Sequence, residues 1–144
     1  MNLYGWLRFW FVVVTAGNLL FVAGCENPSA MNASTANVKH IAQGEFADQV
    51  TRAAGPIVVD FYATWCNPCR QLSPLLDSVA GSFTDKIKFF KVNVDESPGL
   101  AQNFQIQAIP TVLFFKDGKL IDRMTGLTTE GDLKSKLDAL LASK

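Results

Sequence analysis

The chain is short of the residues that several functional classes require. It has one histidine, His40, and three cysteines among 144 residues. Three cysteines are too few to staple a disulfide-scaffolded mini-protein. Charge of one sign is lacking too: 13 Lys plus Arg face 13 Asp plus Glu, for a formal net charge of zero. That gives no basic footprint to neutralise nucleic-acid phosphates. A charged content of 18% beside 49% hydrophobic residues excludes wholesale disorder. Ten glycines and six prolines are ordinary usage, so no collagenous or low-complexity class applies, and no internal repeat is present. What remains is a chain long enough for one globular domain and too short for two.

The apolar residues are unevenly spread. Residues 1–24 hold 17 of them, with Arg8 as the only charge. Phe9 to Gly24 is too short for the roughly 20 residues of a membrane span and reads as an export segment behind a brief n-region. It ends in Val22-Ala23-Gly24-Cys25, which resembles the lipobox of bacterial lipoprotein signals. Small residues let the backbone enter a peptidase site, and the Cys25 thiol is the atom that accepts a lipid. Acyl chains then contribute roughly 0.8 kcal/mol per buried CH₂. The alternative is an uncleaved anchor helix with an incidental cysteine. Either way a membrane tether is expected, facing the periplasm of a bacterial envelope. Residues 25–37 are small and polar and read as a flexible tether. Their Asn32-Ala33-Ser34 sequon is accidental in a bacterium.

From Val38 to Lys144 strand and helix signals alternate, which predicts an α/β domain. Val38–Ile41 reads as a short strand and Glu45–Ala54 as a helix, with Phe46 and Val50 four apart. Ile57–Tyr62 is a nearly continuous β-prone run suited to a central strand covered on both faces, so its one charge, Asp60, stands out. A helix is expected from about Cys66 to Phe83, kinked at Pro74. Ile87–Val94 reads as a buried strand, and Ser97-Pro98 as the N-cap and first residue of a short helix. Thr111–Phe115 and Leu120–Thr125 form a hairpin around Asp117-Gly118. A closing helix buries Leu133, Leu137, Leu140 and Leu141.

The chemistry is concentrated in Trp65-Cys66-Asn67-Pro68-Cys69, between the buried strand and the helix start. A cysteine at a helix N-terminus sits beside unpaired backbone N–H groups and the positive end of the dipole, which favours its thiolate. The second thiol follows one turn later, within reach to resolve a mixed disulfide formed by the first. Pro68 fits the first turn, where its missing N–H has no helical partner. A zinc half-site would need two more ligands, and only Cys25 and His40 are left to supply them. Covalent haem attachment needs His after Cys69, where Arg70 stands. Inert core thiols are a further alternative, though packing alone does not ask for this placement.

Residues 38–144 resemble the thioredoxin family. Val58-Val59-Asp60-Phe61-Tyr62-Ala63-Thr64-Trp65-Cys66-Asn67-Pro68-Cys69 is similar to its active-site strand and loop, and Lys91-Val92-Asn93-Val94-Asp95 to its next strand. Ala108-Ile109-Pro110-Thr111 resembles its cis-proline loop, while Phe115-Lys116-Asp117-Gly118 and Gly126 match its hairpin and late glycine. Asn67 departs from the family's Gly, and Tyr62 stands where many members carry Trp.

The resemblance implies a thioredoxin fold, a five-stranded mixed sheet with the hairpin antiparallel to the rest and four helices on two faces. It implies Cys66 as attacking thiolate and Cys69 as resolving thiol, paired as a redox disulfide. Asp60, raised in pKa by desolvation, is the expected proton carrier for Cys69, with Lys91 beside it opposing the shift. Trp65, Asn67, Pro68, Ile109, Pro110 and Gly126 form the expected substrate surface, with a cis bond before Pro110. Pro74 is structural, and Met124 receives no role.

The function so implied is disulfide reduction in protein substrates by a monomeric, membrane-tethered thiol–disulfide oxidoreductase without metal or cofactor, drawing electrons from a membrane donor. Reduction is favoured because Pro68, Asp60 and Lys91 follow thioredoxin. The absence of an inserted segment between Val94 and Pro110 argues against a cytochrome-maturation reductase. A thiol oxidase or isomerase, and a non-redox lipid-anchored binding or chaperone module, are the alternatives.

Overall fold

The computed structural model describes residues 37–143. The segment read as an export signal, Cys25 and nearly all of the expected tether lie outside the described residues. In chain order the elements are β1 (Lys39–His40), α1 (Gln43–Phe46) running on into a π-helical turn (Ala47–Thr51), β2 (Pro56–Tyr62), α2 (Asn67–Gly81), β3 (Lys88–Asn93), α3 (Pro98–Asn103), β4 (Thr111–Lys116), β5 (Lys119–Thr125) and α4 (Glu130–Ala142). The five strands form one sheet in the order β1-β3-β2-β4-β5.

β1, β3 and β2 are mutually parallel, and β4 runs antiparallel to both β2 and β5. Only β4 therefore opposes the rest. The expectation that both hairpin strands would do so is corrected by the second reversal, which turns β5 back to the direction of β2.

Strand alternation divides the core. Val58, Phe89, Val112 and Phe114 pack on one face beneath Leu72 and Leu76 of α2 and Leu133, Leu137 and Leu140 of α4. Val59, Phe61, Val92, Leu113 and Phe115 pack on the other against Phe46, Val50 and Leu100. Fully burying one such side chain contributes about 1.5–3 kcal/mol. β2 is central, and its residues 57 to 61 are all buried, as its unbroken apolar run requires.

The first helix differs from its expected form. It begins at Gln43 and widens after Phe46, where the Arg52 N–H donates to the Ala47 carbonyl at 2.8 Å across five residues. The wider turn leaves Phe46 and Val50 buried, so the apolar spacing that predicted an α-helix does not distinguish the two. Helix α2 starts one residue after Cys66, which is its N-cap, and continues through Pro74. Ser97 is buried at the N-cap of α3, but its side chain makes no capping bond.

Asp117 and Gly118 both have positive φ, at 49° and 77°, as the tight turn between β4 and β5 requires. This turn also docks on the opposite end of the molecule from the strand–helix junction. The Asp117 N–H donates to the Gly55 carbonyl at 3.1 Å, and the Gly55 N–H donates to the Asp117 carboxylate at 2.8 Å. A Cβ on Gly118 would stand 2.1 Å from the Thr51 carbonyl oxygen. Gly118→Ala is therefore expected to lower stability by about 2–4 kcal/mol through backbone clash and left-handed strain together, read as a fall in the urea midpoint at unchanged slope.

Candidate active site

The site grows out of the carboxyl end of β2. The strand leaves the core at Tyr62, the Cys66 N–H donates back to the Ala63 carbonyl at 3.2 Å, and α2 begins at Asn67. Cys66 and Cys69 are joined by a disulfide with their Cα atoms 5.3 Å apart. The Cys69 N–H, an N3 amide with no helical partner, donates to Cys66 Sγ at 3.2 Å. Sulfur thus occupies the place usually held by a Ser or Asp oxygen at a helix start. Both cysteines are buried, at 4% and 3% exposure. Overall burial therefore does not distinguish the two sulfurs, but that amide does. It points at Cys66.

Opposite the disulfide lies the Ile109–Pro110 peptide, which is cis. The Ile109 carbonyl oxygen is 3.8 Å from Cys66 Sγ. The loop is held from behind: the Thr111 hydroxyl donates to the Ala108 carbonyl at 2.7 Å, and the Gly126 N–H donates to the Pro110 carbonyl at 2.8 Å. Gly126 sits at φ 89°, where a side chain is strained even though a Cβ would meet nothing. It is a backbone support for the loop.

An open groove of about 320 Å³ runs beside this loop between Trp65, Ala101, Ile106 and Ala108. Trp65 is 67% exposed and its indole N–H donates to Asp95 at 2.8 Å. The ring is pinned by one edge and leaves a large apolar face at the groove's rim. A second cleft, of about 470 Å³, lies on the Cys69 side between Tyr62, Thr64, Arg70 and Ser73.

Asp60 is 2% exposed, and its Oδ1 has no hydrogen-bond partner. It shares the α2 side of the sheet with Val58. Burial raises its pKa from the ordinary 3.8 to about 7, against a smaller lowering by Lys91. Lys91 pairs with Asp60 in register across β2 and β3. Its ammonium lies 6.0 Å from the centre of the Tyr62 ring, and its side chain is only half-buried, so it reaches outward past the aspartate. The Tyr62 phenol is also pushed up, by its own burial first and then by Glu96 and Asp60.

The structure brings Cys66, Cys69, Trp65, Asn67, Pro68, Ile109 and Pro110 together around the strand–helix junction. Two residues with no assigned role also belong here. Asp95 anchors Trp65. Arg70 donates to the Thr64 carbonyl at 3.1 Å and to the Asn67 side-chain oxygen at 3.0 Å, tying down the residue that departs from the family's glycine. Asp95 lies inside a matched segment, Lys91–Asp95, but no local pattern connects it to an indole 30 residues away. Among the described residues no three His, Cys, Asp or Glu side chains converge on a metal site.

A disulfide-bonded cysteine pair at a helix start, with a buried acid on the strand that leads to it and a cis-proline loop in front, marks a thiol–disulfide oxidoreductase. Comparison with known proteins agrees. The thioredoxin family model matches residues 37–139. Thioredoxin 1 of Synechococcus elongatus is 38% identical over 98 residues, covering 68% of this chain and 92% of its own. Thioredoxin of Porphyra purpurea is 34% identical over 106 residues, 74% of this chain and 99% of its own. Chloroplastic thioredoxin M2 of Arabidopsis thaliana is 37% identical over 108 residues, 75% of this chain but 58% of its own. The chain belongs to the thioredoxin family.

The raised pKa of Asp60 has a stability consequence of defined sign. The folded protein holds this proton more tightly than the unfolded chain, so its contribution to stability is fully present below about pH 4, declines as pH rises, and is lost above about pH 7. Asp60→Asn removes the titration. The oxidised variant is expected to gain on the wild type by a few kcal/mol between pH 5 and pH 9, measured by urea unfolding at both. A difference that does not change with pH would show that the carboxylate ionises without cost.

Proposed function

We propose that this protein is a membrane-tethered reductant of protein disulfides in which Cys66 attacks and Cys69 resolves. The observation that carries this assignment is the Cys69 N–H directed at Cys66 Sγ. That donor is charge-assisted when the sulfur is a thiolate and weak when it is not. The helix start therefore favours the anionic nucleophile at this sulfur.

The cycle balances as follows. The Cys66 thiolate attacks one sulfur of a substrate disulfide, and the other leaves as a thiolate and takes a proton from water. The ionised Asp60 accepts the Cys69 proton. The Cys69 thiolate then attacks Cys66 Sγ and expels the second substrate sulfur, leaving the Cys66–Cys69 bridge. Two electrons pass to the substrate. Further turnover needs a dithiol donor, which for a chain outside the reducing cytosol is a membrane protein that carries electrons across. The substrate segment lies extended beside Pro110, its apolar side chains on Trp65 and in the adjoining groove, with Asn67, Pro68 and Gly126 as neighbouring contacts. Lys91 limits how far burial raises the Asp60 pKa. The tether rests on the apolar segment 1–24 and Val22-Ala23-Gly24-Cys25.

Three measurements test the parts separately. Cys66→Ser is expected to reduce insulin disulfides at the uncatalysed rate, while Cys69→Ser accumulates a covalent substrate adduct visible on non-reducing gels. Full activity in Cys66→Ser would end the mechanism. Peptide-level thiol trapping of the full-length chain across glutathione and dithiothreitol buffers gives the midpoint. A value near about −270 mV, in the thioredoxin range, supports reduction, and one near about −120 mV marks an oxidant. Cys25→Ser is expected to abolish incorporation of labelled fatty acid and to change the membrane fraction of the chain. Unchanged labelling would refute lipidation at Cys25.

A further inference from the structure

The groove wall opposite Trp65 begins at the end of a six-residue helix, and that end is built in an unusual way. The Gln105 N–H donates to the Gln102 carbonyl at 3.0 Å and the Ile106 N–H to the Ala101 carbonyl at 2.8 Å. This is the paired closure of a Schellman motif, with Gln105 in the left-handed position at φ 51° where glycine is usual. The closure leaves the Phe104 and Gln105 carbonyls beyond it without helical donors. Both are taken by one side chain from β5, 18 and 19 residues away. Arg123 Nη2 donates to the Phe104 carbonyl at 2.6 Å and Nη1 to the Gln105 carbonyl at 3.1 Å. The guanidinium also places positive charge at the negative end of the helix. The next four residues, Ile106 to Ile109, line the groove and end at the cis-proline.

We infer that Arg123 is a positioning residue for the disulfide-exchange reaction: by clamping the Phe104 and Gln105 carbonyls it fixes the start of the Ile106–Ile109 wall against which a protein substrate docks. The inference rests on the proposal that substrate occupies this groove. Arg123 itself touches neither sulfur and lines no part of the groove. Its removal should weaken docking of an extended polypeptide while leaving sulfur chemistry alone. Small disulfides, which need no groove wall, report the chemistry by itself.

The test compares full-length wild type with Arg123→Met, Arg123→Lys and Ala108→Glu. The last places a charge in the groove on an exposed residue. Arg123→Met is expected to raise KM for insulin about fivefold with kcat nearly unchanged, as lost docking requires. Its rate with a small aromatic disulfide and its midpoint should match wild type. Arg123→Lys, able to reach one carbonyl, should fall between. Ala108→Glu should raise KM independently. A wild-type KM in Arg123→Met beside a raised KM in Ala108→Glu overturns the inference and spares the groove. A wild-type KM in Ala108→Glu removes the groove and the inference with it. Equal losses with both substrates mean that Arg123 is merely structural, which also overturns the inference. If Arg123→Met does not fold, Arg123→Lys decides alone: faster hydrogen exchange at the Ile106 amide with a raised KM supports the clamp, and a wild-type KM refutes it.

Discussion

Helix α2 must begin somewhere, and the interaction that starts it also contacts one sulfur of the redox pair. The first amides of a helix have no partner within it. Here one, from Cys69, is satisfied by Cys66 Sγ, and another is removed by Pro68, which has no N–H to satisfy. A sulfur is a weak acceptor as thiol or disulfide and a strong one as thiolate. The cap is therefore strongest when Cys66 is a thiolate. Capping stability and thiolate stability are one free energy, and the protein cannot change one at this position without the other.

That coupling needs a rigid base, which the central strand provides. β2 is hydrogen-bonded on both sides, by β3 and β4, and buried on both faces. The residues leaving it have little freedom in where they deliver Cys66. The same burial makes Asp60 expensive to ionise. Lys91 lies directly across in register, yet its long stem carries the ammonium toward the Tyr62 ring and solvent. A closed ion pair would have held the aspartate charged throughout. Incomplete compensation instead leaves its pKa near 7, where it can hold or release a proton at small cost.

The legible parts of this arrangement were those written locally. The apolar run around Asp60, the cysteine spacing and the Asp117-Gly118 turn each lie within a few residues, and all three took the expected form. The cis Ile109–Pro110 bond was legible only through family likeness, because the dipeptide itself reads equally as an ordinary strand start. The π-helical turn at Ala47–Thr51 escaped because Phe46 and Val50 satisfy either winding. The Trp65–Asp95 and Arg123–Phe104 contacts escaped for a different reason. Each joins residues whose positions are set by other elements, and nothing about the residue types announces the pairing. The reversal within the hairpin follows from the antiparallel pairing of β5 with β4 and is hidden when the two strands are read as one unit.

Those nonlocal contacts share a geometry. Asp95 follows β3 and Arg123 lies on β5, and each meets a segment beside the site, Trp65 in one case and the end of α3 in the other. The sulfur atoms themselves are held by the sheet and helix, whose burial is extensive. Of the surrounding loops, Ala63 and Ile109 pack against the cysteines, and the Asp95 and Arg123 side chains add hydrogen bonds to the more exposed Trp65 and Gln105. Exchange of a disulfide requires three sulfurs nearly in line, a demand met in part by the substrate. The scaffold can align only its own two. Under the proposed docking, alignment of the third depends on the walls, so contacts that carry little of the folding free energy would govern which disulfides are reached.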